Sequence, residues 1–553
     1  MRTHYPRTRH LPWSPGATAD DLRVTDLSGL RGREVVVTEK LDGENTTLYA
    51  DGLHARSLDS AHHPSRTWVK GLQARIGHAI PEGWRVCGEN MFARHSIAYE
   101  DLESWFYGFS VWDGDGRCLD WDRTVVFLRG LGVPVPRVLW RGEFDERALR
   151  ALRVDPGRQE GYVVRVVDGF GADEFGVRVA KWVRPGHVRT DTHWMHTAVV
   201  ENGLGPRAAL WAARSGAAVD PVPLEEAVGL PGEGDPRAAA RFDPAGRSGD
   251  DRLVGVLAAL LHKGRRARLA ARLAGVVGMP LARRVADLVG LHPALHRPYP
   301  DEDRRAGLLR LSHAADLGLL HALALATADT DEAREQVEWS ALHVEDIGGM
   351  DEDALREVFA GLPADAAVRC RAEAREAYAD GRIGGVDEAA AATWRWRSGA
   401  FPNLIHMVGP AGSGKSTFAR ALPGVDAYVC LDDLREARGA RADQRANGDV
   451  LREGLDRLDR ALATGGTVVW DATSLNKQQR SLVHAVARRR DALITHAVVL
   501  VDEDELIRRN ARREHPVPPE VLSAQLRRFG PPYPGDAHRT WYIGASTTVE
   551  EEV

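Results

Sequence analysis

The chain has 553 residues, enough for three or four domains at roughly 150 residues each. Its 73 basic and 79 acidic residues leave a net charge of −6, which argues against bulk coating of nucleic acid but allows a local basic groove. Collagen-like, disordered and membrane classes are excluded: 43% of residues are hydrophobic, and the longest apolar run, Leu317–Ala328, is about half a membrane span and contains His321. No apolar stretch follows Arg2, Arg7 and Arg9, so no secretory signal is visible. The four cysteines, at 87, 118, 370 and 430, are too few and too scattered for a disulfide framework or a zinc ribbon, and a reducing, cytoplasmic compartment is expected.

Residues 1 to about 200 alternate short β-type runs with Gly and Asp turns. The expected strands are Glu34–Thr38, Trp84–Gly88, Phe106–Trp112, Gly161–Val167 and Gly176–Trp182. Ahead of them, the basic and aromatic segment Tyr5–Pro15 suits either a phosphate contact, to nucleic acid or ATP, or an arm packed on the domain. His62 and His63 suit either a place near a site or a polar turn. Asp113-Gly114-Asp115-Gly116-Arg117 reads as a turn, since it lacks the Thr that an aspartate-nucleophile phosphatase carries two residues after its second Asp.

Within this region Thr38-Glu39-Lys40-Leu41-Asp42-Gly43-Glu44-Asn45 succeeds a Val-rich strand. A lone K-x-D-G recurs by chance in turns; its weight comes from an ordered series of downstream elements. Arg56-Ser57 is next, then Gly88-Glu89-Asn90, Trp105-Phe106-Tyr107-Gly108-Phe109, Glu160-Gly161-Tyr162 and Ala180-Lys181-Trp182. One chemistry unites them. A lysine amine can attack the α-phosphate of ATP if it is deprotonated, so a lowered pKa is expected for Lys40. Carboxylates hold Mg²⁺ (or Mn²⁺) and the ribose, an aromatic face stacks on adenine, and a second lysine neutralises the α-phosphate.

This ordered set resembles the covalent nucleotidyltransferases, in particular the ATP-dependent RNA ligases. The resemblance covers about residues 1–200 and implies ATP-grasp-like antiparallel sheets. It implies that Lys40 carries AMP, that Arg56 contacts the AMP ribose or the 5′-phosphate, and that Glu89 binds ribose. It further implies that Phe106 stacks on adenine, Glu160 helps position metal, and Lys181 contacts the α-phosphate; Glu39 and Asn45, close to the nucleophile, join the nucleotide site. One departure stands out. Many RNA ligases end this set with two lysines separated by one residue, whereas Val179 and Val183 occupy those positions here, flanked by Arg178 and Arg184.

Residues from about 201 to 390 are rich in Ala, Leu, Arg and Glu with helical periodicity, broken at Gly229–Gly249, expected as a mobile linker, and at His292–Asp303. Lys263, Arg265, Arg266, Arg268, Arg272, Arg283 and Arg284 come without an intervening acid, so a basic amphipathic helix suits either RNA phosphates or a solvated face. His313 and Asp316 could share a helical face, in a segment that resembles helical HD-type phosphohydrolases. The chain has no His-Asp dipeptide to complete that metal site, so a non-catalytic relic or docking module is expected.

From about 391 onward, β-type runs at Asn403–Val408, Ala427–Leu431, Thr467–Asp471 and Thr495–Val501 alternate with helical patterns, the signature of a parallel sheet. Gly409-Pro410-Ala411-Gly412-Ser413-Gly414-Lys415-Ser416-Thr417 matches the phosphate-binding G-x-x-x-x-G-K-[ST] loop in its strand–loop–helix context. Gly409, Gly412 and Gly414 let backbone N–H groups wrap phosphates, Lys415 reaches the β- and γ-phosphates, Ser416 is a Mg²⁺ ligand, and Thr417 adjoins it. Asp432 can accept a hydroxyl proton, Arg435 can hold a substrate phosphate, and Asp471 is an outer-shell acid near the metal. Arg508, Arg509, Arg512 and Arg513 share one helical stretch where P-loop kinases place a lid. Together these resemble the polynucleotide 5′-kinase branch of P-loop phosphotransferases, which implies Asp432 as general base, Arg435 on the substrate phosphate, and Arg509 and Arg513 on the ATP phosphates.

The expected architecture is multidomain α+β and α/β: a nucleotidyltransferase domain over 1–200, a helical domain over 201–390, and a P-loop kinase domain over 391–553. The expected function is a bifunctional RNA end-repair enzyme. Its partners would be RNA ends, from tRNA or other cleaved RNA, ATP, and a separate 3′-end phosphatase. A DNA nick-sealing ligase-kinase, or a small-molecule kinase fused to a nucleic-acid-binding domain, are the alternatives.

Overall fold

A computed structural model describes residues 2–58, 63–186, 198–244, 246–298, 301–438, 447–513 and 516–553. His62 falls outside the described residues. The chain forms two compact units, one of Met1–Gly232 with Gly246–Val256 and one of Glu233–Ala245 with Leu257–Val553.

The first unit is built on two sheets. In the five-stranded sheet, Glu34–Lys40 lies between Gly161–Val166 and Val138–Glu143, with Val179–Val183 and then Arg9–His10 beyond Gly161–Val166. All neighbours are antiparallel except Arg9–His10, which runs parallel to Val179–Val183. Val35, Val36 and Val37 are fully buried, and this β-branched run holds the strand in the core. The six-stranded sheet is antiparallel throughout, in the order Phe170–Gly171, Arg117–Cys118, Phe106–Trp112, Arg85–Asn90, Glu44–Tyr49, Gly52–Ala55. The run expected as a strand over Gly176–Trp182 divides instead into a helical turn, Phe175–Arg178, and the strand Val179–Val183.

The segment from Tyr5 to Pro15 is an arm packed on this unit. Tyr5 meets the rings of Phe109 and Phe175 edge-on, and Trp13 donates from its indole to the Tyr162 hydroxyl at 3.1 Å. Asp113 accepts from the backbone N–H groups of Asp115 and Arg117, so its segment is the turn the sequence implies.

In the second unit the sheet order is Ala427–Cys430, Thr467–Asp471, Asn403–Val408, Leu493–Val499, Arg539–Ile543, Val549–Glu552, parallel except for the last strand. The stretch expected as a linker, Gly229–Gly249, contains the helix Pro236–Arg241, capped by the Asp235 carboxylate with proline at its first position. Among the described residues no single helix is long and apolar enough to cross a membrane.

The basic run is not an open phosphate-binding face. It spans the helices Arg266–Val277 and Met279–Leu291, and acids distant in sequence take up its charges. Lys263 pairs with Asp235, Arg265 with Glu503, Arg268 with Glu233, Arg272 with Asp502, and both Arg266 and Arg283 with the fully buried Asp287. Arg283 also binds Glu551. His313 and Asp316 do not share a helical face: the helix Asp301–Ser312 ends before His313, and the Asp316 carboxylate caps the next helix, Leu317–Thr327.

Candidate active sites

The N-terminal candidate site forms where a strand of each sheet ends. Lys40 closes the strand Glu34–Lys40 opposite Gly161, and its Nζ donates to Glu160 Oε2 at 2.5 Å. A Cβ at Gly161 would lie 1.9 Å from the Trp182 carbonyl oxygen, so only glycine lets the strands carrying Glu160 and Lys181 approach this closely. Burial alone would lower the Lys40 pKa, but Glu160, Glu89 and Asp42 outweigh it and hold the ammonium above its ordinary value. This is opposite to the lowered value that a nucleophile requires and that the sequence implies. The neighbouring carboxylates are the reason.

Glu89, on the strand Arg85–Asn90, is paired in register with Asn45. Its carboxyl is pushed up to about 8, chiefly by burial; Lys40 pulls it back, while Glu160 and Asp42 raise it. Lys181 is lowered by burial first and then by Lys40, with Arg56 acting in the same direction. The site therefore gathers Lys40, Lys181, Arg56, Glu89, Glu160 and Asp42. Glu39, next along the strand from Lys40, is raised by burial and hydrogen-bonded to Gln159. Glu89 takes on a proton beside two other carboxylates, a surplus of acid that suits a divalent cation, with Glu160 and Glu89 as the groups that would hold it.

Phe106 does not present a stacking face. It is fully buried in the core with Leu48, Val69 and Leu72, and a Cβ on Gly88 would strike its ring at 2.4 Å. His63 caps a short 3₁₀ turn, accepting from the Ser65 N–H, a local turn role. Of the two arginines beside the last motif, Arg178 is held by Glu174 and the Gly29 carbonyl. Arg184 donates its backbone N–H to the Glu160 carbonyl, and its buried Nε has no hydrogen-bond partner among the described residues.

Two contributors are not evident from the sequence. Asp42, inside the K-x-D-G turn, accepts from the N–H groups of Ser96 and Ile97 at 2.8 and 3.0 Å, and its own N–H donates to the Tyr99 hydroxyl. His10 lies beside Lys181 in register and is lowered to about 4, by burial first and then by Lys181. The only sequence signal for His10 is its place in the basic, aromatic arm.

The C-terminal candidate site is the loop between Asn403–Val408 and the helix Lys415–Ala421. Gly409, Gly412 and Gly414 all have positive φ, at 153, 81 and 98°, which bends the backbone into a cradle that other residues adopt only under strain. Ser416 is half-buried and Thr417 exposed on the first turn. Lys415 is buried, donates to the Pro410 carbonyl at 3.0 Å, and is lowered by burial although Asp471 and Asp432 raise it. Asp471 ends its strand and accepts from the Tyr428 hydroxyl. Asp432 and Arg435, one turn apart on the helix Leu431–Ala437, form an ion pair with each other. Buried Asp471 and half-buried Ser416 near Lys415 are an oxygen donor set of the kind that Mg²⁺ takes beside phosphates.

The four lid arginines are not on one helix. Arg508 and Arg509 lie in the last turn of Glu503–Ala511, Arg512 caps it, and Arg513 comes after. Arg509 is held by Glu505 at 2.7 Å and by the Ala545 carbonyl. Arg513 is near enough to lower Lys415.

Comparison with known proteins assigns the two ends separately. Residues 33–183 match the RNA ligase family, and residues 404–532 match a family described as AAA domain. None of the curated proteins matches the chain. Among solved structures, a Naegleria gruberi RNA ligase with PPi is 19% identical over 33% of this chain and 61% of its own, at a TM-score of 0.23. An archaeal ATP-dependent RNA ligase is 13% identical over 63% of this chain and 83% of its own, at 0.25. A gluconokinase from Sinorhizobium meliloti 1021 is 22% identical over 26% of this chain and 84% of its own, at 0.21. The chain spans about half the length of another Naegleria RNA ligase, solved with ATP and Mn. Likenesses of this size carry no argument about activity. The chain thus carries an RNA ligase-family domain at its N-terminal end and a P-loop, kinase-like AAA-family domain at its C-terminal end.

Proposed function

We propose that this chain is a bifunctional RNA end-repair enzyme that phosphorylates 5′-OH ends with ATP and seals the resulting 5′-phosphate to a 3′-OH through a lysyl-AMP intermediate. The observation that carries the reading is Lys40 at a strand end, with Glu160 on its amine and Lys181, Arg56 and Glu89 around it. In the sealing half, the Lys40 Nζ lone pair attacks the α-phosphorus of ATP; a P–N bond forms and the bond to pyrophosphate breaks. The proton leaving Nζ has Glu160 Oε2 already in hydrogen-bond contact. Lys181, lowered but buried, faces the charge gathering on the α-phosphate, and Arg184 fills the role of the second motif lysine. AMP then passes to the RNA 5′-phosphate, and attack by the 3′-OH releases it.

In the phosphorylating half, Lys415 and the loop N–H groups bind the ATP phosphates, and Asp432, oriented by Arg435, takes the proton of the RNA 5′-OH. Arg513, and Arg509 once released from Glu505, close on the phosphates. A divalent cation held at Ser416 and Asp471 would neutralise phosphate charge there, and one at Glu160 and Glu89 would do so in the ligase site. One chain bearing both activities keeps the phosphorylated end near the sealing site.

The test is the intact mass of the full chain after incubation with ATP and Mg²⁺, beside Lys40→Ala. Added AMP on the wild type alone, discharged by 5′-phosphorylated RNA, supports the ligase half. Labelling of 5′-OH RNA from γ-labelled ATP, lost in Lys415→Ala, supports the kinase half. No adduct on protein first stripped with pyrophosphate sinks the covalent mechanism, and equal or better use of DNA ends replaces RNA with DNA as substrate.

A further inference from the structure

The core of the second unit holds three histidines that neither half-reaction uses. His406 lies on the strand Asn403–Val408 and His496 on Leu493–Val499, directly opposite each other in register; His484 comes from the helix Lys477–Arg489. His406 and His496 are fully buried and His484 nearly so. One ring nitrogen from each lies within 4.8 Å of the other two. The ring centres are 4.9, 5.5 and 5.6 Å apart, close to a regular triangle. Three imidazoles on one zinc ion at about 2.1 Å would hold their centres about 5 Å apart.

The hydrogen bonding also suits a cation. His406 Nε2 meets the Ser474 hydroxyl at 2.8 Å, which leaves Nδ1 as its remaining ring nitrogen, buried and without a hydrogen-bond partner. An outer partner on one nitrogen that leaves the other facing inward is how ligating histidines are held. Ser474 itself has φ +46°, a strained conformation for serine, kept where its hydroxyl serves His406. His484 and His496 bring their Nε2 atoms to 2.8 Å of each other, and His496 Nδ1 is a second buried nitrogen without a partner.

We propose that His406, His484 and His496 bind one first-row divalent cation of the zinc class, in a closed structural site that ties two central strands to the helix Lys477–Arg489. Imidazole donors suit zinc, copper or nickel rather than magnesium, so this ion is distinct from the one that accompanies ATP. His406 precedes Gly409 by three residues, and Gly409 donates to the carbonyl of Thr473, the neighbour of Ser474; the cation thus braces the base of the phosphate-binding loop. Arg480, which donates to the carbonyls of Ser474 and Gly530, bears on all three rings and repels a cation, and three neutral ligands cancel none of its charge. Affinity is accordingly lower than at a cysteine-rich site.

The test uses the full chain, stripped with a chelator and titrated with Co²⁺ as an absorbing probe, then with Zn²⁺ while thermal unfolding is followed. Expected are saturable visible Co²⁺ bands at one equivalent, their displacement by Zn²⁺, and a rise of the second unit's Tm with Zn²⁺. The bands should vanish in His484→Gln and persist in His343→Gln, a control histidine elsewhere in the unit. Ser474→Gly, which relieves the backbone and keeps every ligand, should weaken Co²⁺ binding about 10- to 100-fold. It decides the matter if His484→Gln fails to fold. No bands and no Tm rise in the wild type, or bands untouched by Ser474→Gly, overturn the proposal; the trio is then a neutral hydrogen-bonded core.

Discussion

Each unit buries one lysine at its candidate site, and the two are perturbed in opposite directions. Lys40 is raised because Glu160, Glu89 and Asp42 outweigh its burial; Lys415 is lowered because a carbonyl and more distant acids do not. Each shift is the reverse of what the proposed role needs. A nucleophile needs a lone pair, and a phosphate ligand needs a charge. The arrangement before substrate arrives is therefore a poised one. A cation drawn to Glu160 and Glu89 weakens the hold on the Lys40 proton, and the phosphates of ATP restore the charge of Lys415. In both units the ligand's own charge corrects the lysine, from opposite directions.

The largest effect that would sharpen this contrast is in the lysines themselves. Lys40→Ala should abolish the AMP adduct while RNA phosphorylation continues. Lys415→Ala should keep the adduct and cut phosphorylation by about 10²- to 10³-fold, as loss of an electrostatic stabiliser does. Parallel mass and label-transfer assays check both, and a variant that kills both activities would break the two-site reading. Next is Glu160→Gln. Removing the carboxylate should slow adduct formation about a hundredfold at neutral pH. With burial then unopposed by Glu160, the rate should also rise at lower pH than in the wild type; a profile that keeps its midpoint would mean that Glu160 does not govern the Lys40 proton.

A third prediction concerns stability. Arg283→Met leaves the buried Asp287 with Arg266 alone and strands Glu551, so it should cost the second unit about 3 kcal/mol by denaturant unfolding and spare the first. The smallest effect is in pH. Glu89 is raised from 4.5 to about 8, so the folded first unit binds more protons than its unfolded chain in that range and loses stability as pH rises through it. His292 is lowered from 6.5 to about 4, and burial also lowers His313 and His321; the folded second unit thus binds fewer protons and loses stability as pH falls through that window. His10 offsets Glu89 below 6.5. From pH 8 to 6.5 the first unit should gain stability, and below 6.5 the second should fall faster; Glu89→Gln should flatten the first slope. Parallel slopes in a pH series of thermal scans would refute the contrast.

What could be read from the residues alone was local. The phosphate-binding loop is legible because its glycines, lysine and serine are contiguous, and strand, loop and helix each leave a mark within a few residues. Lys40 is legible as the centre of an ordered set, but its partner Glu160 is 120 residues away, and spacing cannot report a 2.5 Å contact. The basic helices are open to misreading for the same reason: their counter-charges, Glu503, Asp502 and Glu551, lie beyond residue 500. Phe106 cannot be sorted into core or site, since a buried ring and a stacking ring have the same one-letter pattern. The histidine trio leaves no trace, because residues 406, 484 and 496 converge only through strand register and a helix crossing.

The segment Glu233–Ala245 counts with the second unit, although Gly246–Val256, the next stretch of chain, counts with the first. No single cut in the backbone yields both units whole. During synthesis the ribosome cannot finish the first until Val256 has emerged, and by then thirteen residues of the second have been waiting for partners not yet made. A gene for either activity alone could not be obtained by simple truncation; it would need an internal excision. The natural unit of inheritance for this pair of activities is the uninterrupted chain.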